Sequence, residues 1–132
     1  SREVHSNRER KSLSTEHTFD QDIDAADEID EVLNGMADEV ARGLDKRGLS
    51  SCTVTVKARY PDFTTVTRSH TLPVPTAASD VIAACCRELI RSTEAFERSV
   101  RLLGVGASNL VPGSHEQLAL FDLDRPPEKT AP

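Results

Sequence analysis

At 132 residues and 37% hydrophobic content, the chain has room for one domain of roughly 100 residues plus tails. It holds no apolar run near the roughly 18 residues a membrane span needs and no charged-then-apolar signal segment, so no membrane partner and a cytoplasmic location are expected. A net charge of −6 is unfavourable for a polyanion partner, but the acid is concentrated: residues 20–46 carry −8 and residues 47–75 carry +3.

Residues 1–10 are polar and aperiodic and read as a linker. They begin Ser1-Arg2-Glu3-Val4 without a Met, as an excised fragment would. From Lys11, alternation sets Ser12, Ser14, Glu16 and Thr18 against Leu13, Thr15, His17 and Phe19, which predicts a strand. Asp20 to Asp24 is expected to lead into a helix, with Asp22 or Asp24 as its cap. Ile29, Val32, Leu33, Met36, Val40 and Leu44 then fall at helical spacing and make one buried stripe; Gly48 closes the helix after Lys46 and Arg47. The many carboxylates of this segment form a solvated helix face.

Cys52 to Tyr60 is the clearest half-buried strand: Cys52, Val54, Val56, Ala58 and Tyr60 share one side, and Thr53, Thr55, Lys57 and Arg59 the other. Pro61-Asp62-Phe63 predicts a turn and Thr64 to Leu72 a second strand, together a hairpin. Alternation leaves the face of Arg68 open, because Arg68 and His70 share parity with Val66 and Leu72. Pro73-Val74-Pro75 is expected to end the strand. Thr76 or Ser79 is the expected cap of a second helix, with Ala78, Val81, Ile82, Cys85, Leu89 and Ile90 as its stripe. Val100 to Ala107 reads as the last strand, and Pro112-Gly113 breaks regular structure. Residues 113–132 read as a flexible tail.

The predicted order is β-α-β-β-α-β, an α+β class in which two single-striped helices cover one face of a four-stranded sheet. The other face stays open, and on its best-defined strand it carries hydroxyls and cations. Such a face suits phosphate groups.

No catalytic pattern stands out. The chain lacks a Gly-rich phosphate loop, His-Glu-x-x-His and Gly-x-Ser-x-Gly, and Gly104-x-Gly106 precedes no helix. Three cysteines without Cys-x-x-Cys spacing and four scattered histidines suggest neither a disulfide framework nor a metal site; Cys85 and Cys86 read as small buried hydrophobes. In the tail, Gln117-Leu118-Ala119-Leu120-Phe121-Asp122 is an apolar cluster among polar residues. Clusters of this kind await a partner pocket, with Gln117 bonding at the rim while Leu120 and Phe121 bury. The alternative is that the tail folds back on its own domain.

Several blocks resemble one family. Lys11-Ser12-Leu13-Ser14-Thr15-Glu16-His17-Thr18-Phe19 looks like the first strand of the little finger domain of bacterial DNA polymerase IV, a Y-family polymerase. Thr53 to Tyr60 with Asp62 to Pro73 resembles that domain's central hairpin, and Val100 to Leu110 its last strand. Gln117-Leu118-Ala119-Leu120-Phe121 is similar to the pentapeptide by which bacterial polymerases bind the sliding clamp. These blocks occur in the right order over nearly the whole chain.

The resemblance implies a DNA-binding domain over 11–112, a linker from a thumb domain over 1–10 and a clamp-binding tail over 113–132. It implies contact with the DNA backbone, without sequence preference, near Lys11, Ser12, Ser14 and Glu16 on the first strand, largely through backbone amides. Further contacts would come from Thr53, Thr55, Lys57, Arg59, Thr65, Thr67, Arg68 and Ser69 on the hairpin, and from Ser108 and Asn109 on the last strand. Gln117, Leu118, Leu120 and Phe121 would engage the clamp. Catalytic carboxylates and magnesium would belong to a palm domain that this chain lacks, so the chain is expected to bind as a monomer rather than polymerise, working with the palm, fingers and thumb of a polymerase. A catalytically inactive member of the same family fits the same residues. An RNA-binding module of the same strand order fits less well: such modules stack bases on sheet aromatics, and only Phe19, Tyr60, Phe63, Phe96 and Phe121 are aromatic here. A small αβ enzyme or ligand-binding domain finds no convergent polar cluster.

Overall fold

The computed structural model describes residues 12–95 and 97–113. The linker over 1–10, Lys11, Phe96 and the tail beyond Gly113 lie outside the described residues. In chain order the elements are β1 (Ser12–Ile23), α1 (Ala26–Arg47), β2 (Leu49–Arg59), β3 (Thr65–Thr76), α2 (Ser79–Ile90) and β4 (Val100–Pro112). The strands form one antiparallel sheet in the order β1-β4-β2-β3, so β4 and β2 are central and β1 and β3 are edges.

The two-residue period of β2 dictates the layering. Val54, Val56 and Ala58 pair with Ala107, Val105 and Leu103 of β4, and all six are at most 1% exposed. Both helices pack on this side. α1 lies over β1 and β4 through Ile29, Leu33, Met36, Ala37, Val40, Ala41 and Leu44, while α2 lies over β2 and β3. Each fully buried aliphatic side chain contributes about 1.5–3 kcal/mol before chain entropy is subtracted.

Four local expectations are corrected by the structure. First, β1 runs on to Ile23: its register passes from Thr18↔Leu102 to Ile23↔Val100, so the acidic segment forms an irregular strand end instead of a helix start. Second, neither Asp22 nor Asp24 caps α1. Ala25 is the N-cap without a side-chain bond, and Asp22 Oδ1 accepts from Arg101 Nε at 2.6 Å. Third, β3 continues through Pro73 and Pro75 to Thr76. It is an edge strand that tolerates prolines, and residues 72–75 bow out between Thr53↔Thr71 and Ser51↔Thr76. Fourth, the N-cap of α2 is Ala78, and Thr76 Oγ1 instead accepts from the Ala78 amide at 3.0 Å.

The α2 stripe is also turned by one position. Ile82, Ala83, Cys86 and Ile90 are buried, whereas Val81 is 42% exposed and Cys85 and Leu89 are half-buried. The reason is that α2 packs on α1 as well as on the sheet; Arg91 binds Asp30 at 3.3 Å and Arg87 reaches Asn34 across that seam. Burial first, then the neighbouring Cys85, pushes the Cys86 thiol up to about 12. It is a core atom and not a nucleophile.

Gly48 ends α1 as expected. It takes φ 67, and its amide reaches the Asp45 and Leu44 carbonyls. A Cβ there meets nothing within 4 Å, so any penalty for a side chain comes from the left-handed backbone alone. Gly48→Ala is expected to lower stability by about 1 kcal/mol in urea denaturation; an unchanged midpoint would contradict the strained-cap account.

Candidate nucleic-acid interface

Residues directly opposite in an antiparallel ladder share a face. The pairings β1–β4, β4–β2 and β2–β3 therefore align four rows on the side away from the helices. They read Ser12, Ser108, Thr53, Thr71; then Ser14, Gly106, Thr55, Ser69; then Glu16, Gly104, Lys57, Thr67; then Thr18, Leu102, Arg59, Thr65. The structure thus brings Ser12, Ser14, Glu16, Thr53, Thr55, Lys57, Arg59, Thr65, Thr67, Ser69 and Ser108 onto one surface. Thr18 and Thr71 belong to it as well. Their parity with the named residues was the available signal.

The hydroxyls are organised in pairs across strands. Thr55 Oγ1 and Ser69 Oγ lie 2.7 Å apart, and Thr53 Oγ1 and Thr71 Oγ1 lie 3.3 Å apart. One O–H of each pair is used internally, which leaves the other to donate outward. Asn109 takes φ 53, and its amide donates to Thr53 Oγ1 at 2.8 Å; Thr53 is only 8% exposed beneath it. Arg59 Nε donates to Thr65 Oγ1 at 3.0 Å, which fixes the root of its guanidinium on the face.

Lys57 and Glu16 form an ion pair although β4 lies between their strands. Both sit in register with Gly104, whose missing side chain lets them meet above it. Gly104 and Gly106 floor a shallow trough of about 200 Å³ walled by Ser14, Glu16, Thr55, Lys57 and Thr67. Beside it, β1 pairs only with β4 among the described residues, so its outer edge presents ladder-free amides.

Arg68 leaves the set. It pairs with Val56, which places it on the side of the sheet that the helices cover, and there, exposed at the edge, its Nη1 donates to the Thr67 carbonyl at 2.9 Å. Lys11 and the tail residues Gln117, Leu118, Leu120 and Phe121 lie outside the described residues.

The hairpin tip that carries Arg59 is tied down from behind. The Tyr60 amide donates to the Thr64 carbonyl at 2.9 Å, and the Phe63 amide to the Tyr60 carbonyl at 2.8 Å. Arg98 lies 4.1 Å above the Tyr60 ring and binds Asp62 at 2.9 Å. The Thr64 amide hydrogen bond, followed by Arg98, holds the Asp62 carboxyl below its ordinary range. A separate apolar groove of about 550 Å³ lies between β3 and α2, lined by His70, Leu72, Val81, Ala84, Cys85, Glu88, Leu89 and Ser92. No described helix is long and apolar enough to cross a membrane.

Comparison with known proteins agrees with this architecture. The model of the impB/mucB/samB family C-terminal domain matches residues 10–120. A DNA polymerase IV of Alkalilimnicola ehrlichii is 45% identical over 91% of this chain and 34% of its own length. Another from Halorhodospira halophila is 41% identical over 88% of this chain and 33% of its own. The chain therefore spans about a third of the length of these curated relatives. Among solved structures, the little finger domain of PolIV in complex with the beta-clamp processivity factor superposes with a TM-score of 0.63 at 25% identity, covering 76% of this chain and 90% of that one. A Y-family DNA polymerase chimera superposes with a TM-score of 0.67 at 20% identity over 79% of this chain and 30% of its own, a likeness of fold.

Proposed function

The chain belongs to the impB/mucB/samB family of C-terminal domains and is a Y-family little finger; from that premise we propose that it grips template–primer DNA by the sugar-phosphate backbone, as the accessory domain of a translesion DNA polymerase. The observation that carries this reading is the open sheet face, where rows of Ser and Thr hydroxyls surround Lys57 and Arg59. Hydroxyls and cations bond phosphate oxygens without reading bases, which suits a protein that must travel along any template. The four rows hold no aromatic ring, so base stacking has no platform there. Polymerisation itself, with its magnesium, would belong to catalytic domains of a longer polypeptide.

A second contact is proposed for the tail. The PolIV little finger is known in complex with a beta-clamp, and Gln117-Leu118-Ala119-Leu120-Phe121 has the composition of a pocket-filling ligand. Tethering to a clamp would raise the local DNA concentration and offset the weak grip expected of an acidic domain.

The test is titration of fluorescent duplexes of several sequences with Lys57→Ala and Arg59→Ala. Each change should weaken binding equally across sequences, and Arg59→Ala should flatten the salt dependence by about 0.9 in d log K/d log[salt]. A change in sequence preference would rule out recognition through phosphates alone.

A further inference from the structure

We propose that Glu16 is a release element on the DNA face, holding the Lys57 ammonium against itself so that a phosphate must compete for it; this rests on the reading of the open sheet as the phosphate-contacting surface. The geometry is specific. β1 and β2 are not neighbours; they flank β4, and two strand spacings of roughly 4.8 Å separate them. Glu16, Gly104 and Lys57 stand in one row of the ladder. Any side chain at 104 would fill the space between the other two, and a Cβ there would come within 3.2 Å of Glu16 Cγ and 3.5 Å of Lys57 Cβ. The glycine is therefore what allows the bridge to close.

Glu16 is the only carboxylate in the four rows, and it binds one of the two cations there. Its position opposes the function of the surface. A phosphate approaching the trough meets an ammonium already neutralised and a carboxylate of its own sign. Both partners are partly open to solvent, at 31% for the Lys57 side chain and 47% for Glu16, so the bridge is weak enough to exchange. Lys57 can swing from carboxylate to phosphate when DNA arrives and back when it leaves. Arg59, one row away, bonds only a neutral hydroxyl, Thr65, among the contacts of this face and keeps its charge for the ligand.

The experiment is Glu16→Gln in the full chain, alone and combined with Lys57→Ala, titrated against a fluorescent primer–template over a salt series. Circular dichroism of each variant checks that it is folded. Glu16→Gln keeps the shape and the strand position. Removing its charge is expected to tighten binding roughly fivefold, the size of one exposed ion-pair interaction. The salt dependence should steepen by about 0.9, because no freed carboxylate then takes up a cation when Lys57 moves to a phosphate and releases one from the DNA. In the Lys57→Ala background most of the gain should vanish. An unchanged or weaker affinity for Glu16→Gln, with Lys57→Ala and Arg59→Ala still weakening binding, overturns the release element and leaves the DNA face standing. A gain of equal size without Lys57 overturns it too, since Glu16 would then act by repulsion alone. If Lys57→Ala and Arg59→Ala leave affinity untouched, the DNA face itself is refuted and the release element falls with it.

Discussion

Replacing Leu120 and Phe121 together by alanine is expected to abolish binding of the chain to a purified bacterial sliding clamp, with wild-type affinity in the low-micromolar range or tighter. The argument is one of concentrated apolar area. Within residues 113–132, Leu118, Leu120, Phe121 and Leu123 are the large apolar residues between Gly113 and the prolines at 126 and 127. A short ligand of this kind spends its binding energy on a few buried anchors, and each hot-spot truncation removes about 2 kcal/mol or more. Two of them remove about 4 kcal/mol, close to a thousandfold in affinity.

If the tail is a tether, the same variant should melt like wild type. Truncation before Gln117 separates the alternatives: loss of clamp binding with the fold intact supports a tether, whereas loss of folding means that the tail completes its own domain. If the wild-type chain does not bind the clamp at all, the tether is refuted.

Tyr60→Ala should be the most damaging single change to stability, by about 3–5 kcal/mol, the range for truncating a large core aromatic. Tyr60 is 1% exposed at the end of β2, where the hairpin meets the segment between α2 and β4. Its ring packs in the core and lies under the Arg98 guanidinium, and its hydroxyl accepts from the Glu94 amide at 3.0 Å. Arg98 in turn holds Asp62 and, at 3.3 Å, Glu94. One side chain thereby joins the hairpin tip to the loop that feeds β4.

Tyr60→Phe keeps the volume and strands only the Glu94 amide, so it should cost about 1 kcal/mol. Urea denaturation followed by circular dichroism distinguishes the two. If Tyr60→Ala were no worse than Tyr60→Phe, the ring would not be a core pillar, and the claim that this network orders the neighbouring Arg59 would lose its basis.

Local periodicity sufficed for much of this molecule. Strict alternation in residues 52–60 is a short-range property, since successive side chains of a strand must point to opposite faces. It separated Val54, Val56, Ala58 and Tyr60 from Thr53, Thr55, Lys57 and Arg59, and the structure keeps that division. The stripe from Ile29 to Leu44 and the closing Gly48 are equally local, one set by the 3.6-residue turn and the other by the backbone freedom of glycine. Element order and the open sheet face followed from these. The boundaries at Asp20–Asp24 and Pro73–Pro75 did not, because a carboxylate or a proline reads as punctuation only until a neighbouring strand or a free edge gives it another place.

What tertiary structure alone decided depends on which strands lie side by side. Arg68 shared parity with apolar residues and with nothing else decisive; its pairing with Val56 turned it away from the hydroxyl face. The exact side of α2 that is buried was set by α1, a neighbour 32 or more residues away in the chain, and periodicity within α2 contains no trace of it. The Glu16–Lys57 bridge is the clearest case. Each residue was visible as a surface position, 41 residues apart, but their meeting requires the order β1-β4-β2 and a glycine in the strand between them. Side-chain facing is written in the spacing of neighbouring residues. Which charges touch is written in the sheet order, because antiparallel pairing joins residues that the chain keeps apart.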